Sequence, residues 1–201
     1  MQFDNFSSPR SLRFAAAVSA KNALLYEPHI EQLTKYVEGL KIKYPDWQFP
    51  YFDPHDGGQR ADILFLLEKP GPKTSPERGG SGFISRDNND ATAEAIFNFT
   101  NAAGIPRKRT VLWNTIPGWN GTIKMTSAEN KAGLSELANL LALLPNLSTV
   151  VLVGRKAEKA FPLLEQKPVK IIVSAHPSPK VRATNRSMWD SITDRWLLAI
   201  N

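Results

Sequence analysis

The stretch ADILFLLEKPGP, residues 61–72, decides the fold. After Asp62 come five apolar residues in a row, Ile63 to Leu67. A short run apolar at successive positions buries both of its faces, as a strand does inside a parallel sheet covered on both sides. Its character then changes at once. Glu68 and Lys69 are charged, and Pro70, Gly71 and Pro72 force a tight turn. Taking 61–68 as the first strand, three more segments read the same way: RTVLWN (109–114), STVVLVG (148–154) and VKIIVSA (169–175).

Helical patterns separate and follow these strands. DATAEAIFNFTNAAG (90–104) opens on Asp90 as N-cap and closes on Gly104, and TSAENKAGLSELANLLALLP (126–145) begins as a capping box and ends at Pro145. RKAEKAFPLLEQ (155–166) follows the third strand, and RSMWDSITDRWLLAI (186–200) carries an apolar stripe. The order βαβαβαβα implies right-handed crossovers, a parallel sheet and a three-layer sandwich, with ligands beyond the carboxyl ends of the strands. Before residue 61 the pattern predicts helices over about 10–25 and 28–43, then an irregular aromatic and proline-rich stretch over 44–60. At 201 residues the chain is expected to form one domain, 1–201, with residues 1–50 as a helical extension packed on it.

Composition narrows the function. The absence of cysteine excludes disulfides, thiolate metal sites, iron-sulfur clusters and cysteine nucleophiles. No apolar run approaches the roughly 18 residues a membrane span needs, and the first 20 residues fit a secretory signal poorly, so a cytoplasmic monomer is expected. The net charge of +6 suits a polyanionic partner, and over 155–195 nine Lys/Arg stand against four Asp/Glu.

The loops after the strands hold the candidate chemistry. HPSP (176–179) stiffens the backbone around His176 and Ser178. The histidine could donate to an oxygen gaining negative charge and the serine could hold a phosphate, or the loop is a capped turn with an incidental histidine. Asn114 offers donors and an acceptor suited to a nucleobase edge, or is a turn residue. Glu68 could orient or activate water and Lys69 could bind phosphate, beside Gly71, whose lack of a side chain lets a ligand approach the backbone; alternatively Glu68 and Lys69 form a surface pair. In GGSGFISRDN (79–88), Phe83 could stack on a base while Arg86 meets phosphate, or Phe83 is core. Asp53, His55 and Asp56 in DPHDGG (53–58) are better read as turn chemistry than as metal ligands, so no metal is expected.

Taken in order, LLEKPGP (66–72), GSGFISRDN (80–88), VLWNTIPGW (111–119), VVLVGRKAEKA (150–160) and HPSP resemble the uracil-DNA glycosylase superfamily over roughly residues 53–200. The resemblance implies a three-layer α/β/α sandwich with a four-stranded parallel sheet in the order 2-1-3-4. It also implies cofactor-free hydrolysis of the bond between uracil and deoxyribose in DNA, after the nucleotide is flipped out of the stack. Carried over residue by residue, Asn114 hydrogen-bonds the uracil edge, Phe83 stacks on the ring, and His176 stabilises the uracil anion. Ser178 holds a flanking phosphate, Val181 wedges into the vacated stack, and Lys180, Arg182 and Arg186 contact phosphates. If about four phosphates are neutralised, log K falls against log salt with a slope of roughly −3.6.

The chain departs from the pattern in lacking the four cysteines of the iron-sulfur branches, and in carrying Lys69 where active members more commonly have Asp, Asn or Ala. Lys69 opens a second reading, a nucleic-acid-binding relative with impaired catalysis. A hydrolase of unrelated type lacks support: there is no G-x-S-x-G, no P-loop and no metal spacing among His29, His55 and His176.

Overall fold

The computed structural model describes residues 7–200; the ends of the expected 1–201 domain lie outside these. Four strands form the main sheet: β2 (Ile63–Leu67), β4 (Thr110–Asn114), β5 (Thr149–Val153) and β6 (Lys170–Ser174). All pair in parallel in the spatial order β4-β2-β5-β6, which counted along these four is 2-1-3-4. A separate two-stranded parallel ribbon pairs β1 (Tyr51–Phe52) with β3 (Phe83–Ile84).

Side-chain alternation assigns the helices to the two faces. On one face Phe65 of β2 meets Trp196 of α8 (Ile192–Leu197) edge to face at 4.7 Å, and Trp196 meets Phe99 of α3 (Ala91–Ala102) at 5.8 Å. On the other, Trp113 of β4 stacks on Phe52 at 3.8 Å and touches Tyr36 of α2 (Glu31–Lys43). The Tyr36 hydroxyl donates to the Glu136 carbonyl of α4 (Ser127–Ala142). The caps fall where the sequence places them. Asp90 accepts from the N–H groups of Thr92 and Ala93, and Thr126 and Glu129 close a reciprocal capping box. Among the described residues no helix is long and apolar enough to cross a membrane.

Four segments differ from expectation. The helix expected over 10–25 is a 3-10 turn (Ser11–Arg13) and then α1 (Ala15–Asn22), because Phe14 is extended between them. The segment after the third strand is a 3-10 turn, Ala157–Ala160, running into the short α5 (Phe161–Leu164), with Pro162 tolerated in the first turn. Residues 180–185, which no expected helix covers, fall largely in the helix α6 (Pro179–Thr184), because Ser178 caps it and Pro179 starts it. The last helix is divided at Ser191 into α7 (Arg186–Asp190) and α8.

The N-terminal helices are built into the molecule. Leu33, Val37 and Leu40 of α2 belong to the main core, while α1 contributes Ala17 to a small cluster with Leu12, Leu25 and Phe83. From α1 the ammonium of Lys21, fully buried, donates to both oxygens of Asp53 at 2.6 Å and to Asp87 at 2.8 Å. Arg107 adds bonds to Asp53, Asp56 and Asp87 at 2.6–2.9 Å. Buried charges survive only when matched in this way.

Candidate active site

The four loops start level because the strands end level. Leu67 lies opposite Asn114, Leu66 opposite Leu152, and Val153 opposite Ser174. The Thr115 and Ile116 N–H groups donate to the carbonyls of Leu67 (2.9 Å) and Glu68 (3.0 Å), and Gly154 N–H donates to the Ser174 carbonyl (2.8 Å). Gly154 has φ +91°, and a Cβ on it would sit 2.9 Å from the Cβ of His176 and 3.4 Å from Glu68 Oε1. Only glycine lets the third loop pass so close beneath the imidazole and the carboxylate.

At this edge lies a cavity of about 250 Å³, small beside the range typical of drug-sized ligands. Leu67, Ile84, Ile96 and Leu112 form apolar wall; Gly71 and Pro70 form a rim; Glu68, Asn114, Asp90 and His176 bring polar groups to it. A Cβ at Gly71 would meet nothing within 4 Å, so its backbone is open to a ligand. A cavity of similar size between Tyr44, Trp47, Phe49 and α4 contains none of these strand-end groups.

Asn114 is the most telling member. It ends a strand buried along its whole length, and its Nδ2 is buried with no hydrogen-bond partner among the described residues. An orphaned donor costs about 1–3 kcal/mol, a cost recovered when a ligand supplies an acceptor. His176, half-buried, has its pKa lowered: burial is the main cause, with Lys156 adding to it while Glu68 and Asp90 oppose it. Burial thereby favours the neutral form of the imidazole. Lys156 Nζ lies 3.3 Å from Glu68 Oε2.

Three sequence expectations need correction. Phe83 does not face the cavity. In the β1-β3 ribbon neighbouring side chains point to opposite faces, so Ile84 lines the cavity while Phe83 is buried against Leu12, Ala17, Leu25 and the Tyr51 ring. The Lys69 ammonium is not available to phosphate. It donates to Asn120 Oδ1 (2.7 Å), the Lys124 carbonyl (3.0 Å) and Glu129 Oε1 (2.9 Å), although the residue also borders the cavity. Burial works against the Glu129 carboxylate, but the Thr126 N–H and Lys69 hold its pKa below the usual range. Arg86, expected at phosphate, is buried and donates to the hydroxyls of Thr100 and Thr110.

Of the remaining residues, Ser178 caps α6 by accepting from Val181 N–H at 3.3 Å, Val181 is half-buried, and Lys180 and Arg182 are exposed. Arg186, also exposed, bonds Asp190 at 2.9 Å. Ile84, Ser85, Asn88, Asp90 and Lys156 went unnoticed as site residues. Asp90 was legible only as a cap, and Lys156 only as one charge among nine. In place of the Asp53, His55 and Asp56 grouping, the ligand atoms of Asp53, His55 and Asp87 lie within 4.8 Å of one another, but both carboxylates already carry Lys21 and Arg107.

A parallel sheet with a small, partly polar cavity at its carboxyl edge, walled by loops that carry an amide, a carboxylate and an imidazole, places this chain among α/β/α sandwiches with a ligand-sized cavity at the strand ends. The family model of the uracil DNA glycosylase superfamily matches residues 54–197, and the chain belongs to that superfamily of glycosylase-like hydrolases. Among solved structures, a solution NMR structure from Methanosarcina acetivorans, named as a candidate uracil DNA glycosylase, is similar at 14% identity and a TM-score of 0.48, over 71% of this chain and 93% of that one. None of the curated proteins searched matches the sequence.

Proposed function

We propose that this protein removes uracil, or a related deaminated base, from DNA by hydrolysing the N-glycosidic bond of a flipped nucleotide. The observation that carries this reading is Asn114, whose Nδ2 has no partner among the described residues and which borders a cavity small enough to select one base. Uracil presents a carbonyl oxygen where cytosine presents an amino group, so a fixed donor favours uracil and leaves cytosine with two donors opposed.

In this mechanism the bond breaks toward a cationic sugar and an anionic base. The imidazole of His176 donates an N–H to the base oxygen where charge gathers. Glu68, beside it at the rim, orients the attacking water and opposes the positive charge on the sugar, with Lys156 holding the carboxylate in place. Ile84 and Ile96 provide an aliphatic face for the ring in place of an aromatic one. Lys180 and Arg186 with Ser178 meet the phosphates on either side, and Val181 fills the gap left by the flipped base.

The reading of a relative with impaired catalysis rested on Lys69. With its ammonium bound to Asn120 and Glu129 rather than projecting among the reacting groups, the catalytic reading is favoured. The test is a base-release assay on oligonucleotides bearing uracil, hypoxanthine, xanthine or cytosine. Uracil is expected to be released with an alkali-labile site left behind, and Asn114→Ala to slow release about 10²–10³-fold, the effect of losing one preorganised donor. Release of none of these bases by the wild-type protein would defeat the proposal.

A further inference from the structure

Behind the base cavity, across helix α3, lies a second recess of about 440 Å³ that the glycosylase reading does not use. One wall is the far side of α3, Ala91, Ala95 and Asn98; the other is Pro179 and Arg182 of α6 with Trp189 of α7. The Arg182 guanidinium lies over the Trp189 ring, 5.6 Å from its centroid, and Phe99 braces that ring edge to face at 5.0 Å. The two sites share the helix and the loop that separate them. Residues 92, 93 and 96 of α3 border the cavity and residues 91, 95 and 98 the recess, while the loop that places His176 in the one runs on to Pro179 in the other.

We infer that this recess holds a second, unstacked nucleobase of the same DNA strand, close to the nucleotide in the cavity. The inference rests on the DNA-binding reading above and deepens it. A flat ring suits the slot: two alanines leave room, an indole offers a stacking face, a guanidinium can stack and pair at once, and the exposed Asn98 amide can meet a base edge. A phosphate suits it less, because Arg182 is the one cation of the lining and already lies over the Trp189 ring. Glu94 also borders the recess, but Arg10 holds its carboxylate at 2.8 Å, which removes most of its repulsion toward a strand. A protein with such a slot handles its substrate as an opened strand and prefers single-stranded DNA or frayed duplex.

Two measurements test this. In the first, binding of a single-stranded 11-mer with a non-hydrolysable 2′-fluorouridine is followed by anisotropy while each neighbouring base in turn is replaced by an abasic spacer. Loss of the base at one neighbouring position is expected to weaken binding about tenfold, as a lost base–aromatic stack does. Arg182→Gln should weaken the intact strand by a similar factor and the strand lacking that base less than twofold, since both changes remove one contact. Uniform weakening of every strand by Arg182→Gln would make it a phosphate contact and overturn the inference, as would indifference to all spacers. In the second, tetrathymidylate, which carries no uracil, is expected to quench Trp fluorescence in the wild-type protein and not in Trp189→Phe. Uracil release without that quenching overturns the recess alone; quenching without release leaves the recess and removes the glycosylase reading.

Discussion

Two buried polar regions of this molecule are built from similar side chains and put to opposite uses. Around Asp53 and Asp87, the cations Lys21 and Arg107 sit within 2.6–2.9 Å of the carboxylates, and Ser85 adds a further bond to Asp53. At the ends of the main strands, Asn114, Glu68 and His176 border one cavity, and Asn114 keeps a buried donor with no partner among the described residues. The ion network has loose ends too, Asp56 Oδ2 and Arg86 Nε, but neither borders that cavity. The lesson is one of direction. A polar group that closes on the protein stabilises the fold, whereas one left facing a ligand-sized space gives up stability for binding.

The contrast is sharpest under mutation of Lys21. Lys21→Met leaves Asp53 and Asp87 short of a cation in the interior, so we expect a loss of about 3–5 kcal/mol in denaturant unfolding, with base release per folded molecule unchanged. A large fall in release without a fall in stability would mean that the network belongs to the site.

Gly154→Ala should affect both regions moderately. The positive φ costs about 1–2 kcal/mol for a residue with a Cβ, and the added carbon pushes against His176. Unfolding is expected to be easier by that amount and release slower, at a nearly unchanged affinity for uracil-containing DNA. Equal activity would show that the imidazole position is not critical.

Acid should separate the regions further. Burial, with the positive charge of Lys21, pushes the His55 pKa from 6.5 down to about 4. The unfolded chain therefore takes up this proton near pH 6.5 and the folded chain only near pH 4. The stability that depends on a neutral His55 is whole above pH 6.5 and is lost as pH falls toward 4. His176, shifted in the same direction, adds to the loss. Melting temperature measured from pH 8 to pH 4 should fall over this window, and His55→Gln should flatten the fall. Lower still, Asp53, whose burial is outweighed by Lys21 and Arg107, contributes stability that disappears once its carboxylate is protonated.

The smallest effect is expected at Phe83. Because its ring lies in the cluster of Leu12, Ala17 and Leu25, Phe83→Leu should cost less than about 1.5 kcal/mol and leave the rate of uracil release within about twofold. A tenfold slower enzyme of undiminished stability would return this ring to the base.

Much of this was legible in the chain. Runs such as ILFLL and TVVLV are apolar on both faces, and only a covered parallel sheet uses such strands, so the layers and the position of the site followed from pattern. The caps at Asp90 and Thr126 were local hydrogen-bond chemistry and needed no distant partner. The polar strand ends, Glu68, Asn114 and His176, could be picked out because each stands at an abrupt end of apolar sequence.

What the amino-acid order determined by itself, then, was everything set by periodicity and near neighbours: strands, most helices, turns, and which loops would meet. Tertiary structure alone decided which way residues of the same loops face. Phe83 and Ile84 are adjacent, and the pairing of β3 with β1 sends one to the core and the other to the cavity. Lys69 looks like a free cation until Glu129, sixty positions away, claims it. Nothing in the sequence around Lys21 marks the burial that its pairing with Asp53 and Asp87 brings. Charges and side-chain directions are set by partners distant in sequence, whose approach depends on the packing of the whole chain.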